Sequence, residues 1–318
     1  MSTRRIVVTG ATGFVGSAVL RRLAAQDPRA VVRATSRTPP PAATHGVRWV
    51  DADLADEQSL RGVCEGADVL LSLASYIGPD ADRCAAVNSA GAAALVAEAR
   101  RAGVERIVHL STCAVYGPGP HRGQDVAELT PAPVSPASAG RLAGEGPVLD
   151  AGGLVLRAGL VLGTGDRWAV PALVDAFRRV PARWGGGEGL ASFVDVDDLA
   201  RLIVAFALGG GAAARTTGVL HAHHPEPVRN GDLMDALAEH RVLSAGPEED
   251  WPWHRCLEAL AATPGWVSER QFTLLARDHW YRADAAWELA GITPGPGPLS
   301  RLGPAAAWYR ERGGAAPG

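Results

Sequence analysis

Apolar residues in the first third of the chain come in short unbroken runs rather than in alternation. Ile6-Val7-Val8, Ala30–Ser36, Val47–Val50, Asp68–Ser75 and Arg106–Thr112 are the clearest. A strand buried on both faces has no polar side to mark, so these runs predict inner strands of a parallel sheet. Between them, Ser17–Ala25 and a long alanine-rich stretch that carries Asn88 and ends at Gly103 predict helices. Pro39–Pro41 predicts a stiff loop. Strands and helices alternating in this way predict an α/β fold with a doubly wound parallel sheet. Residues 1–165 are assigned mainly to that sheet and 166–318 mainly to a small C-terminal substrate lobe, with 190–225 returning to the core.

The first strand runs into Thr9-Gly10-Ala11-Thr12-Gly13-Phe14-Val15-Gly16, just before the first helix. Each glycine has its own reason there: Gly10 for a tight turn, Gly13 for backbone approach to a pyrophosphate, Gly16 for close helix–strand packing. A helix opening at that point offers free N–H groups and a positive dipole end to phosphate oxygens. In a chain with 38 glycines the triplet alone says little. Its place between strand and helix is what predicts a dinucleotide site on a Rossmann core.

Composition narrows the field. The chain has 318 residues, is 47% hydrophobic and carries a net charge of −3, so no electrostatic footprint for nucleic acid or an anionic membrane is expected. No stretch predicts a signal sequence or a membrane span, and a cytoplasmic protein is expected. Cys64, Cys84, Cys113 and Cys256 lack metal-site spacing. His221 and His223 share one strand face, but nothing is convincingly spaced with them, and no metal is expected. All 31 basic residues are arginine. That reads as a bias of the source, not as chemistry.

The cofactor choice rests on the end of the second strand. An acid there would accept from ribose hydroxyls, whereas an arginine can pair with a 2′-phosphate. The residues are Ser36 and Arg37, so NADP(H) is expected, with Arg33 a competing cation. Asp53 follows the third strand, where it can accept from an adenine amino group or cap a helix.

By this point the chain resembles the extended short-chain dehydrogenase/reductase family of epimerases, dehydratases and ketoreductases. The match rests on TGATGFVG and on Phe193-Val194-Asp195-Val196-Asp197-Asp198-Leu199-Ala200, with Ala283–Pro294 similar to a late helix of the family. The resemblance implies that Asp53 and Leu54 hold the adenine. It places Leu73, Ala74 and Ser75 under the pyrophosphate and ribose, and matches Asn88 to the helix asparagine. Ala158 and Leu160 lie in the segment whose backbone holds the carboxamide. A catalytic Ser/Thr is implied at the end of the fifth strand, here Thr112 with Ser111 next, followed by Tyr-x-x-x-Lys. In the matching stretch, Ser135–Glu145, Ala137 stands at the tyrosine and Arg141 at the lysine. Arg141 can donate to the nicotinamide ribose, but alanine cannot pass a proton.

Three readings remain. An NADPH-dependent ketoreductase can draw its proton from elsewhere, a non-catalytic NADP(H) sensor needs none, and a nucleotide-sugar epimerase or dehydratase needs a substitute in the same place. Tyrosine-less relatives of the isoflavone-reductase type use a lysine, and this chain has none. The ketoreductase is favoured, because Thr112, Arg141 and an aromatic second half suit a reacting ligand. In this respect the chain is similar to the tyrosine-less ketoreductases of aromatic polyketide pathways, such as angucyclinone ketoreductases of the simocyclinone type. The expected substrate is an aromatic ketone whose adjacent phenol supplies the proton. Tyr76, Tyr116, Trp168 and the space at Ala137 are expected to line its site, with the Trp251–Trp266 segment as a further wall. Trp287 and Trp308 are expected to fill core. The oligomeric state is left open.

Overall fold

A computed structural model describes residues 3–38, 46–244, 246 and 249–316. The expected Pro39–Pro41 loop lies outside the described residues. Seven parallel strands form the centre: β1 (Arg5–Thr9), β2 (Val31–Ser36), β3 (Val47–Asp51), β4 (Val69–Ser72), β5 (Arg106–Thr112), β6 (Leu154–Ala158) and β7 (Gly218–Ala222). Their spatial order is β3-β2-β1-β4-β5-β6-β7. The winding reverses between β1 and β4, and a crevice for ligands opens at the carboxyl ends there.

Both faces of the sheet are covered, which is why its strands read as unbroken apolar runs. Val8, Leu71 and Val108 pack with Val19 and Ile203 on one face. Val7, Leu70 and Ile107 pack with Leu95 and Val148 on the other. A separate core of Phe177, Trp184, Met234, Phe272 and Tyr309 holds the C-terminal lobe. At the amino end of β5, buried Arg106 donates to the carbonyls of Phe206, Ala213 and Thr216, tying the strand to the end of the Val196–Leu208 helix.

Several boundaries differ from the sequence reading. The first helix, α1, spans Phe14–Gln26, so Phe14, Val15 and Gly16 form its opening turn instead of preceding it. β4 ends at Ser72 and not at Ser75, because the N–H groups of Leu73 and Ala74 turn to the buried Thr9 hydroxyl at 3.2 and 3.4 Å. The alanine-rich helix is three segments: α-helical Ala81–Cys84, π-helical Ala85–Gly91 and α-helical Ala92–Arg101. His121–Gln124, from the N-terminal half, joins the lobe's small four-stranded sheet beside His279–Tyr281.

Candidate active site at the carboxyl end of the sheet

The loops after β1 and β4 meet at Gly10, whose φ is +68°. A Cβ there would lie 2.7 Å from Ala74 Cα, and one on Gly16 would overlap Gly10 O. Only glycine allows this approach. Helix α1 then opens with Gly13 as its cap, no side chain bonded to its first N–H groups and no acid in its first turn. Thr12 and Gly13 are exposed. This cradle fits a dinucleotide pyrophosphate in shape and charge.

At the adenosine side, Arg33 donates to the carbonyls of Val63 and Glu65 at 2.6 and 3.0 Å, so that cation is already engaged. Arg37 is exposed and makes no ion pair among the described residues. Ser36 Oγ is turned into its own loop, donating to Thr38 O at 2.7 Å. Asp53 Oδ1 accepts from Ala55 N–H at 3.0 Å, and its second oxygen is left for another donor. Leu54 is buried against Gly91.

Asn88 serves the loop after β4. Its amide accepts from Tyr76 N–H and donates to Tyr76 O, both at 2.7 Å. It does so from the π-helical segment, a conformation concentrated at functional sites. Gly140 and Gly144 of the Pro136–Asp150 helix let that segment come close, since a Cβ on Gly144 would overlap Asn88 O. Ser75 is exposed and Tyr76 half-buried.

At the end of β5 the two hydroxyls part company. Thr112 is half-buried and accepts from Ala114 N–H at 3.2 Å, with its own O–H left to donate. Ser111 is fully buried and donates to Glu145 Oε1 at 2.5 Å. Glu145 also receives Arg157 at 2.6 and 3.1 Å. Arg157 donates to Tyr116 Oη at 2.9 Å, and Tyr116 lies 2.7 Å from His221 Nε2. Burial holds His221 down to about 4, so its ring is neutral. His221 Nδ1 lies 2.8 Å from Arg282 O and donates there, leaving Nε2 to accept from Tyr116. The expected ligand contact of Tyr116 is therefore corrected: it is 2% exposed, and its phenol is spent inside this chain of bonds. Ser111 likewise points inward, because successive side chains of a strand face opposite ways.

Ala137 sits in the first turn of the Pro136–Asp150 helix, half-buried. One turn on, Arg141 donates to Leu110 O at 3.0 Å. Burial draws this guanidinium down to about 10, with Glu145 opposing, and it remains a cation at neutral pH. Ala158 pairs in register with Thr112, and Leu160 N–H donates to Ser192 O at 2.9 Å. The loop beyond passes over the glycine turn, where Gly165 abuts the Phe14 ring.

The tryptophans divide. Trp168 is 37% exposed and meets Trp266 edge-on at 6.5 Å. Trp253 stacks on Phe272 at 5.2 Å, and Trp251 lies under Arg255 at 3.8 Å, so the expected Trp251–Trp266 wall is spent largely on the lobe's own packing. Trp287 is buried and donates to His223 O, and half-buried Trp308 donates to Asp166 O. Sequence reasoning missed Glu145 and Arg157. Their signal is a single charge in each of two otherwise uncharged stretches, 142–149 and 151–165. Among the described residues no three His, Cys, Asp or Glu side chains are grouped to hold a metal, and no helix is long and apolar enough to cross a membrane.

The NAD dependent epimerase/dehydratase family matches residues 6–213, and the chain belongs to it. The family is named for NAD-dependent epimerases and dehydratases, and reductases are among the relatives this chain resembles. Sterol demethylase protein B of Methylococcus capsulatus is 37% identical over 139 residues, 42% of this chain and 41% of that protein. The match therefore spans less than half of that relative. The 2-alkyl-3-oxoalkanoate reductase of Stenotrophomonas maltophilia is 26% identical over 91% of this chain and 94% of its own. A Stigmatella aurantiaca ketoreductase, named for 4-hydroxy-2-methyl-3-oxo-4-farnesyl-3,4-dihydroquinoline-1-oxide, is 33% identical over 59% of this chain and 60% of its own. Among solved structures, the Bordetella bronchiseptica enzyme WbmH in complex with NAD+ aligns with a TM-score of 0.75 at 20% identity, covering 98% of this chain and 100% of that one. That likeness shows the fold.

Proposed function

We propose that the chain is an NADPH-dependent ketoreductase acting on an aromatic, polyketide-like ketone, and that a hydroxyl beside the substrate's carbonyl supplies the proton. The observation that carries this reading is Thr112, free to donate at the end of β5, beside a helix whose first turn offers only Ala137 where the family resemblance expects a tyrosine. The rim supports it. Of six exposed large apolar side chains among the described residues, Ile77, Val134 and Trp168 lie on loops at this end of the molecule. Two relatives are named for oxo compounds, and one of those names puts a hydroxyl on the carbon next to the oxo group.

When bound, NADPH supplies a hydride. Gly10, Thr12, Gly13, Phe14, Val15 and Gly16 would hold its pyrophosphate, Arg37, next to Ser36, its 2′-phosphate, and Asp53 and Leu54 its adenine. Leu73, Ala74 and Ser75 would lie beneath it, on the loop that Asn88 fixes. Arg141 would meet the nicotinamide ribose, and the backbone of Ala158 and Leu160 the carboxamide. Thr112 donates to the carbonyl oxygen and polarises it. The test is NADPH oxidation across aryl ketones and nucleotide sugars. Ketone-dependent oxidation is expected; interconversion of a nucleotide sugar without net oxidation, or cofactor binding with no turnover, would refute the reading.

A further inference from the structure

Three of the four tyrosines, Tyr116, Tyr281 and Tyr309, are buried, and only Tyr76 keeps its phenol half-exposed. Its backbone is gripped on both sides by Asn88, so the residue has a fixed origin. The ring folds back over Gly78, where a Cβ would overlap Tyr76 Oη. The Arg83 guanidinium lies 4.9 Å from the ring centroid. Asp80 caps the turn that carries Arg83, accepting from Arg83 N–H at 3.0 Å.

The loop that carries this phenol packs toward the helix that carries Ala137. Cys84 Sγ lies 3.5 Å from Gly78 O, and a Cβ on Gly140 would lie 2.9 Å from Cys84 O. Along the Pro136–Asp150 helix, Gly140 meets Cys84 and Asn88, and Gly144 meets Asn88 and Ala92, so the two elements run in the same direction. One turn back from Gly140, that direction brings Ala137 to the level of the loop holding Gly78 and Asp80. The loop level with the group missing from the helix thus carries a phenol.

We propose that Tyr76 selects the substrate's hydroxyl, donating its O–H to the very oxygen that gives up the proton. The inference rests on the ketoreductase reading above. As hydride reaches the carbonyl carbon, the C=O electron pair moves onto oxygen, which takes the proton of the neighbouring hydroxyl. That hydroxyl oxygen is left as an oxyanion until water reprotonates it. Tyr76 Oη stabilises the oxyanion by a hydrogen bond, and Arg83 over the ring face polarises the phenol toward it. Because the charge exists only during reaction, the effect falls on kcat and spares KM.

The experiment crosses wild type and Tyr76→Phe with ortho-hydroxyacetophenone and its methyl ether. Wild type should reduce the hydroxy ketone faster, and Tyr76→Phe should lower kcat on it about 10- to 10³-fold, by analogy with loss of one oxyanion donor, while leaving the ether unchanged. A readout without turnover is absorbance titration with ortho-nitrophenolate at alkaline pH. Wild type should bind it about tenfold more tightly than Tyr76→Phe, with ortho-nitroanisole bound equally. Equal loss on both ketones would make Tyr76 itself the acid or a structural residue and overturn the proposal. No effect of Tyr76→Phe, while wild type still prefers the hydroxy ketone, would overturn it and leave the ketoreductase reading standing. Equal rates of wild type on both ketones would refute the substrate-borne proton instead.

Discussion

Acid should unfold this protein through its buried histidines. Burial pulls His109 and His223 down to about 3 and His221 to about 4. The cause is visible in each case. His109 Nδ1 lies 3.0 Å from Ser72 Oγ and His223 Nδ1 2.9 Å from His224 O, while the second nitrogen of each ring is buried without a partner. A second N–H would have nowhere to donate. On His221 it would face the Tyr116 hydroxyl and break the bond from it. In the unfolded chain all three titrate near about 6.5. Between that value and the folded values the unfolded chain binds more protons, so stability is lost as pH falls. From about pH 7 to about pH 5 each histidine costs about 2 kcal/mol, and the three about 6 kcal/mol. Asp166 and Asp195, raised by burial, take up protons first in the folded state and offset part of this. Against a typical stability of about 5–15 kcal/mol the net loss is large. Urea unfolding followed by circular dichroism across this range should show a falling midpoint. His109→Gln, which keeps a partner for Ser72 but cannot ionise, should lower the midpoint at neutral pH and make its pH-dependent fall smaller than in wild type. A midpoint independent of pH in wild type, or a fall of the same size in the variant, would refute the argument.

Arg37→Ala should reduce the preference for NADPH over NADH by at least about tenfold, since one charge-assisted contact is removed; fluorescence titration with both cofactors measures it. Thr112→Val keeps the volume and deletes the donor, and should lower kcat/KM about 10- to 10³-fold with the fold intact. Glu145→Gln leaves the buried Arg157 guanidinium without its counter-charge and should destabilise by about 3–5 kcal/mol in urea unfolding. The apolar pair Glu145→Leu with Arg157→Met should recover most of that loss.

What the sequence makes legible is whatever the backbone alone decides. β5 runs over Arg106–Thr112 as expected, because a two-sided buried strand leaves an unbroken apolar run. The glycine turn is readable because contacts as short as those at Gly10 and Gly16 exclude every other residue. The π-helical segment is not, since a run of small residues carries no periodicity to separate one helical pitch from another. Side-chain direction is harder still. Tyr76 and Tyr116 both follow a strand into a carboxyl-end loop, yet Tyr116 turns inward to Arg157 and His221 while Tyr76 stays at the crevice.

The same distinction explains why a missing catalytic group is easier to see in a sequence than its replacement. Ala137 stands out because its neighbours in the chain, from Ser135 to Glu145, set the register of the comparison. A substitute has no obligation to share that register. In a parallel sheet every strand delivers its following loop to the same edge, so groups distant in the chain converge there. Thr112 arrives from β5, Ala137 from the next helix and Tyr76 from the loop after β4. Asn88 then fixes the Tyr76 backbone from yet another element. The packing of Gly140 and Gly144 against Cys84 and Asn88 brings the helix of Ala137 into line with the element that carries Asn88. Under the proposal above, the proton lost with the tyrosine comes from the substrate, and Tyr76 acts from another loop on the oxygen that gives it up, so neither segment carries a motif for it.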